Sequence, residues 1–146
     1  MPLQIEACHD YEAMTAVWLA SVRATHRFLS KEDIEFYHQR IPTLYMPHVD
    51  LYAIRDAHGE CRAFIGLSPE MVEMLFVHPD DMGKGYGSRL LHFACKEKGI
   101  RRVDVNEQNG QALGFYLHHG FRVTGRDAKD GEGKPYPILH MMLEQA

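Results

Sequence analysis

Glycine occupies every second position, at Gly83, Gly85 and Gly87, in the segment LFVHPDDMGKGYGSRLL that runs from Leu75 to Leu91. An apolar run that ends at a proline precedes the glycines, and apolar residues at helical spacing follow them. This order predicts a strand, a turn and a helix. Because glycine is the least favourable ordinary residue at a helix start, three of them in alternation indicate that the turn requires a bare backbone.

A phosphate ligand would explain that requirement. The N–H groups of a first helical turn have no acceptor within the helix, and the helix dipole adds partial positive charge there. Glycine lets a phosphate approach the main chain, while Lys84 adds a positive charge and Ser88 a hydroxyl. The competing explanation is that the glycines only let the helix pack closely on the strand. We favour the phosphate because three glycines alternate.

Two common nucleotide-binding motifs do not fit this segment. A P-loop needs a Lys-Ser or Lys-Thr pair at the end of G-x-x-x-x-G-K-[ST], and a dinucleotide fold needs G-x-G-x-x-G. The chain reads G-K-G-Y-G-S from Gly83 to Ser88. The expected ligand is therefore a phosphate compound of another class.

The remaining segments predict an α/β fold with a mixed central sheet of about seven strands flanked by about four helices. We expect helices after caps at Asp10 and Ser30, the second of them stopped by Pro42, then one from the glycines to Gly99 and one over Gln111–His119. The expected strands are Leu3–Ala7, Val49–Arg55, Cys61–Ser68, Met71–Val77, Arg101–Val105, Phe121–Asp127 and Ile138–Glu144. No linker or repeat interrupts residues 1–146, which predicts a single domain.

Composition narrows the class of protein. No apolar run is long enough to span a membrane, and the first residues lack the pattern of a secretory signal. The three cysteines have no metal-type spacing, and the ten histidines form no H-x-x-x-H pattern, so we expect a cytoplasmic protein with no metal and no membrane partner. A net charge of −4 gives no reason to expect nucleic acid and slightly favours a cationic small molecule.

At this point the sequence resembles the GNAT superfamily of acyl-CoA-dependent N-acetyltransferases. The family signature [QR]-x-x-G-x-[GA] corresponds to Met82–Gly87, with Met82 where arginine or glutamine is usual. The segment Val105–Phe121 is similar to the family pattern N-x-x-A-x-x-F-Y-x-x-x-G-F. ATHRFL, VNEQN and KPYP further resemble a small bacterial branch, the YjaB-type GNATs. The resemblance implies the GNAT fold, with acetyl-CoA as co-substrate.

The family pattern also implies where coenzyme A lies. Backbone N–H groups of the glycine loop would hold the pyrophosphate, and a splayed strand edge together with Asn109 would hold the pantetheine arm. Asn109 could equally be a helix cap. The residues expected to bind acetyl-CoA are Leu75, Val77, Met82, Gly83, Lys84, Gly85, Tyr86, Gly87, Ser88, Asn109 and Tyr116.

The chemistry needs a proton donor and a proton acceptor. The resemblance places the Tyr116 hydroxyl beside the CoA sulfur as general acid, although Tyr116 could simply pack in its helix. Glu73 precedes Leu75 by two residues, so on a regular strand it shares that face and could draw the proton of the amine through water. A solvated strand carboxylate is the alternative. His26 and Tyr136 are candidates for the acceptor pocket, with local packing as the other explanation.

These observations predict an N-acetyltransferase that moves the acetyl group of acetyl-CoA to a primary amine by direct attack in a ternary complex. The amine could belong to a small molecule or to a protein, and the enzyme could be a monomer or a homodimer. A non-catalytic module that binds or senses acyl-CoA is the alternative. An acetyltransferase that acts on aminoacyl-tRNA is a third possibility, but the negative charge speaks against it.

Overall fold

A single mixed sheet runs through the part of the chain that the computed structural model describes, residues 4–144, with seven strands in the order β1-β2-β3-β4-β5-β7-β6. Neighbouring strands are antiparallel, except that β4 and β5 are parallel. The strands are β1 Ile5–Ala7, β2 Asp50–Arg55, β3 Cys61–Leu67, β4 Met71–Val77, β5 Arg102–Asn106, β6 Phe121–Asp127 and β7 Ile138–Leu143. The predicted α/β fold with a mixed sheet is confirmed, and of the predicted first strand only Leu3 lies outside the described residues.

Four α-helices complete the fold within the same residues: α1 Tyr11–Thr25, α2 Lys31–Arg40, α3 Tyr86–Glu97 and α4 Gly110–His118. Both predicted caps are present. The Asp10 carboxylate accepts from the Ala13 N–H at 3.1 Å, and the Ser30 hydroxyl accepts from the Asp33 N–H at 3.1 Å. Short side-chain acceptors near a chain bend thus start the first two helices as local chemistry requires.

The second helix does not simply stop before Pro42. The α-helix ends at Arg40, but the chain continues through a π-helical turn at Ile41–Tyr45 and a 3₁₀ turn at Met46–His48. Proline has no N–H and its ring clashes with the preceding turn of an α-helix. The chain therefore changes its hydrogen-bond spacing at Pro42 and stays coiled until β2.

The helices cover the two faces of the sheet and divide the core in two. On one face, α1 packs through Met14, Trp18 and Val22 against Phe64 and Met74 of β3 and β4. These three residues form one apolar stripe along α1, which is the side of an amphipathic helix that packs on a sheet. On the other face, α3 and α4 pack on the central strands, with a core that includes Val72, Leu90, Leu91, Val103, Tyr116 and Phe121.

The sheet opens between its two parallel strands. β4 and β5 pair only at Met71 with Arg102 and at Val72 with Val103. The register of β4 against β3 shifts at the same point, because Leu67 pairs with Val72 and Gly66 with Met74, which leaves Glu73 as the extra residue of a β-bulge. Beyond the bulge, the edge of β4 that faces β5 has no strand partner among residues 4–144.

Candidate active site

A cavity of about 640 Å³ occupies the opening between β4 and β5. Its walls are the separated ends of these two strands, the glycine loop with the start of α3, the first turns of α4, and the end of α1. The splayed strand edge and a helix start thus border one space. Of the predicted site residues, most line it: His26, Glu73, Leu75, Val77, Met82, Gly83, Gly85, Tyr86, Gly87, Ser88, Asn109 and Tyr116.

The three glycines of the loop do not have the same role. Gly83 and Gly85 have positive φ angles of 83° and 84°, and an added Cβ would have no atom within 4 Å. Both positions therefore need glycine for backbone conformation, and they leave open space beside the main chain. Gly87 lies inside α3, where a Cβ would meet the Phe115 ring at 3.5 Å and Val77 Cγ2 at 3.7 Å. These are ordinary van der Waals contacts, so the position of Gly87 has room for a side-chain methyl.

The loop presents unpaired backbone donors at the start of α3. The first hydrogen bond of the helix runs from the Arg89 N–H to the Gly85 carbonyl, at 3.0 Å. Within residues 4–144, the N–H groups of Gly85, Tyr86, Gly87 and Ser88 make no backbone hydrogen bond. Donors in this position suit an anion such as a diphosphate, so the loop fits that part of coenzyme A.

The side chain of Lys84 does not line the cavity with the glycines. Its Nζ lies 2.8 Å from Asp81 Oδ1, and Arg62 Nε lies 2.6 Å from the other oxygen of the same carboxylate. Burial alone would raise the pKa of Asp81, but the hydrogen bonds from Lys84 and Arg62 outweigh it and hold the pKa below its ordinary value. The positive charge expected from Lys84 is thus largely balanced by Asp81. Asp81 is only three residues from Lys84, whereas Arg62 comes from β3, so the part of this pairing that no local pattern indicates is the contact with Arg62.

Tyr116 lies in α4, where neighbouring aromatic rings fix the position of its ring. The ring packs edge-on against Phe115 and Phe121, with centroids 5.1 and 5.6 Å away. The hydroxyl makes no hydrogen bond within the described residues. Among those residues, every fully buried side-chain N or O atom has a hydrogen-bond partner, so the Tyr116 hydroxyl is not fully buried. Because Tyr116 lines the cavity, its hydroxyl is accessible from there. Burial, with a smaller effect of Cys95, raises the pKa of Tyr116 well above its ordinary value. The phenol therefore stays protonated at neutral pH.

Glu73 lies at the bulge where the two strands part. The predicted sharing of a face with Leu75 assumed regular alternation, which the bulge interrupts at Glu73 itself. Both residues nevertheless line the cavity. The carboxylate of Glu73 is exposed and has no ion-pair or hydrogen-bond partner in the described part of the chain. It is thus available to a ligand or to water in the cavity.

A hydrogen bond crosses the cavity between His26 and Asn109. Asn109 Oδ1 caps α4 by accepting from the Ala112 N–H at 3.1 Å, so its Nδ2 is the donor toward His26 Nε2, at 3.3 Å. The Thr25 hydroxyl donates to the Ser21 carbonyl and therefore accepts from His26 Nδ1 at 2.8 Å. These bonds fix a neutral ring, and burial lowers the pKa of His26 to about 4. The two roles considered for Asn109 are compatible, because the cap uses Oδ1 and leaves an N–H of Nδ2 for a ligand.

Tyr136 lies outside the cavity. Its hydroxyl donates to the Asp33 carboxylate of α2, which also receives Lys134 Nζ at 2.8 Å. Tyr136 therefore ties the segment before β7 to α2, in line with the alternative explanation of local packing. No motif in the sequence indicates this contact, because Asp33 and Tyr136 are 103 residues apart.

Two further features bear on the type of site. Within residues 4–144, no group of three or more His, Cys, Asp or Glu side chains is arranged to hold a metal ion. Among the described helices, none is both long enough and apolar enough to cross a membrane.

Comparison with known proteins agrees with this geometry. A family model described as an acetyltransferase (GNAT) domain matches residues 47–123. The peptidyl-lysine N-acetyltransferase YjaB of Escherichia coli (strain K12) is 38% identical over 133 residues, which cover 89% of this chain and 88% of that protein. The solution structure of apo YjaB from Escherichia coli superposes with a TM-score of 0.90, at 36% identity, over 100% of both chains.

A more distant structure shares the fold. The PaiA N-acetyltransferase of Thermoplasma acidophilum, crystallised in complex with coenzyme A, has a TM-score of 0.73 at 23% identity, covering 96% of this chain and 98% of that one. A sheet splayed beside a glycine loop at a helix start is thus a fold that this chain shares with an N-acetyltransferase crystallised with coenzyme A. The chain belongs to the GNAT family and is an acetyl-CoA-dependent N-acetyltransferase.

Proposed function

We propose that this enzyme moves the acetyl group of acetyl-CoA to a primary amine, with the ε-amine of a lysine side chain in a peptide as the favoured class. The observation that carries the proposal is the single cavity that joins the unpaired donors of the glycine loop to the Tyr116 hydroxyl. The peptidyl-lysine activity named for its relatives at 38% identity supports the choice of amine.

The chain's own groups fit the length of the co-substrate. The N–H groups at the start of α3 would hold the diphosphate, and the free edge of β4 at Leu75 and Val77 would pair with the pantetheine amides. The second N–H of Asn109 Nδ2 would add a donor there, since its first is used by His26. In this arrangement the thioester would lie at the end of the cavity that holds Tyr116.

The reaction then joins the amine nitrogen to the acetyl carbon while the carbon–sulfur bond breaks. Holding both reactants in one cavity supplies much of the rate, because a bimolecular encounter becomes an attack within a ternary complex. The departing sulfur takes a proton, and the protonated hydroxyl of Tyr116, which is accessible from the cavity, would give it.

The amine must lose protons, because a lysine amine has a pKa of about 10.4 and is charged at neutral pH. Glu73 would accept such a proton through water in the cavity, and its carboxylate would also attract the cationic side chain before the reaction. The bulge supports this role because it places a charged residue at the edge of the opening.

The test compares Tyr116→Phe with Tyr52→Phe. Tyr52 lies outside the cavity and packs edge-on against Phe93, so its change is a matched loss of one phenol hydroxyl. We expect Tyr116→Phe to bind acetyl-CoA as the parent does, in calorimetric titration, while thiol release with a lysine peptide falls about 100-fold or more. Tyr52→Phe should keep both the affinity for acetyl-CoA and the rate of thiol release of the parent. Unchanged turnover in Tyr116→Phe would remove the acid role, and binding without turnover in the parent enzyme would favour a sensing module.

A further inference from the structure

A second helix supports the phosphate end of the cavity through one hydrogen bond. Ser88, in the first turn of α3, lies 3.0 Å by its Oγ from Nε2 of His119, the residue that follows α4. Ser88 lines the cavity, whereas His119 stands behind it, half-buried against the Phe115 ring at 4.7 Å between centroids. His119 can thus act on a ligand of the glycine loop only through Ser88.

The direction of this bond decides what Ser88 offers to an anion. A hydroxyl has one hydrogen. If Ser88 donates that hydrogen to Nε2 of His119, its oxygen can only accept hydrogen bonds from other groups and cannot donate to an anion. If Nε2 carries a proton and donates to Oγ instead, the Ser88 hydrogen is free to point into the cavity. An anion beside Ser88 therefore favours a His119 ring with a proton on Nε2, and the negative charge of the anion further favours the charged ring, which carries protons on both nitrogens, over the neutral Nε2–H tautomer.

The charges around the loop add to this preference. Asp81 holds the Lys84 ammonium, and Met82 is uncharged. A protonated His119 would supply a cation that the loop's own side chains provide only weakly.

His119 has defined neighbours that affect its titration. His92 of α3 and His118 of α4 face it at ring-centroid distances of 5.8 and 5.3 Å. Burial, then His118 and His92, lower its pKa from the ordinary value. Arg89, next to Ser88 on α3, carries a guanidinium group. No carboxylate in the described residues forms an ion pair with His119. The ring is therefore neutral at neutral pH without a ligand.

We propose that His119 is a positioning residue for the diphosphate of coenzyme A: it donates from Nε2 to Ser88, turns the Ser88 hydroxyl toward the diphosphate, and gains a proton when the diphosphate binds. This inference rests on the proposed function, because it assumes that the glycine loop holds that diphosphate. If His119 gains a proton on binding, the affinity for the co-substrate depends on pH through a residue that does not touch the reacting atoms.

The sign of this dependence follows from the lowered pKa. Protonated His119 is the binding form, so affinity should rise as the pH falls through and below about 6.5, the ordinary value for histidine. Dephospho-CoA is the appropriate probe because it lacks the 3′-phosphate of CoA. That phosphate titrates at about pH 6 and would add a pH dependence of its own. Acetyl-pantetheine, which lacks the diphosphate, is the control ligand.

The experiment measures the dissociation constant of dephospho-CoA by calorimetry from about pH 8 to about pH 5. The parent enzyme should bind about tenfold more tightly at the low end, the size expected for one hydrogen bond to a charged group. His119→Gln keeps an amide donor but cannot gain a proton, so its affinity should not change with pH. His58→Gln, in the turn between β2 and β3, should behave as the parent. Acetyl-pantetheine should show no slope with any of them.

The outcomes separate this proposal from the proposed function. A parent enzyme that binds neither CoA nor dephospho-CoA at any pH would contradict the function itself. Equal pH slopes in the parent and in His119→Gln, or a flat parent, would overturn the role of His119 while the function stands. Should His119→Gln fail to fold, titration of the parent in buffers of different ionisation enthalpy still decides the matter, because the proposal requires net proton uptake on binding near neutral pH.

Discussion

The substitution Gly85→Ala separates the conformational need for glycine from the need for space. Gly85 has a φ of 84°, which an L-residue adopts at a cost of about 1 to 2 kcal/mol. In a domain of this length, 1 kcal/mol corresponds to a change of about 3 to 4 °C in Tm. We therefore expect Gly85→Ala to melt about 3 to 8 °C lower than the parent. Acetyl-CoA should bind at least about tenfold more weakly, because relief of the strain rotates the peptide units that carry the free N–H groups.

Gly87→Ala is the matched control two residues further on. Its new methyl would lie 3.5 Å from the Phe115 ring and 3.7 Å from Val77, which are ordinary contacts, and the position is helical. Alanine is better than glycine in a helix by up to about 1 kcal/mol, so Tm should stay or rise, and acetyl-CoA should still bind. Thermal unfolding and calorimetric titration of both variants check this. Equal losses in the two variants, in Tm and in affinity, would refute the distinction between the two glycines.

Two further substitutions test polar side-chain contacts, one beside the cavity and one away from it. Asp81→Asn should lower the free energy of unfolding by about 1.5 to 3 kcal/mol at neutral pH, since the buried carboxylate accepts from both Arg62 and Lys84. Because the folded pKa of Asp81 is depressed, this stabilisation exists above the unfolded value of 3.8 and is lost as the pH falls through the folded pKa. Urea unfolding at several pH values measures it, and a difference that persists in strong acid would contradict it. Tyr136→Phe loses the hydrogen bond to Asp33 and should cost about 1.5 kcal/mol in the same assay. Its affinity for acetyl-CoA should not change, since Tyr136 does not line the cavity; weaker binding would show that the α2 contact shapes the site.

Local patterns in the sequence were sufficient for the elements that frame the site. The strand Met71–Val77 has the predicted bounds, and Asp10 and Ser30 cap their helices as their side-chain chemistry requires. The turn between β4 and α3 follows from the glycines, two of which have the positive φ that favours glycine. Such features depend on residues a few positions apart, so their physical cause is contained in the segment itself.

The position of individual side chains in the site was decided by residues far apart in the chain. Alternation along β4 could not reveal the bulge at Glu73, because a bulge depends on how β3 pairs with β4. Neither could the motif around Lys84 show that Asp81, three residues away, also binds Arg62 of β3. Short-range patterns report neither register nor a competing partner.

The sequence alone therefore determined the order of the elements, the glycine loop and the pairing of Phe115 and Tyr116 on one helix, because each arises from local propensity and spacing. Only the tertiary structure decided that β4 and β5 part after Val72, that His26 meets Asn109 across the cavity, and that Tyr136 bonds to Asp33 away from it. The last two contacts join residues that are 83 and 103 positions apart. Packing and hydrogen-bond geometry select them from the many partners that a local pattern permits.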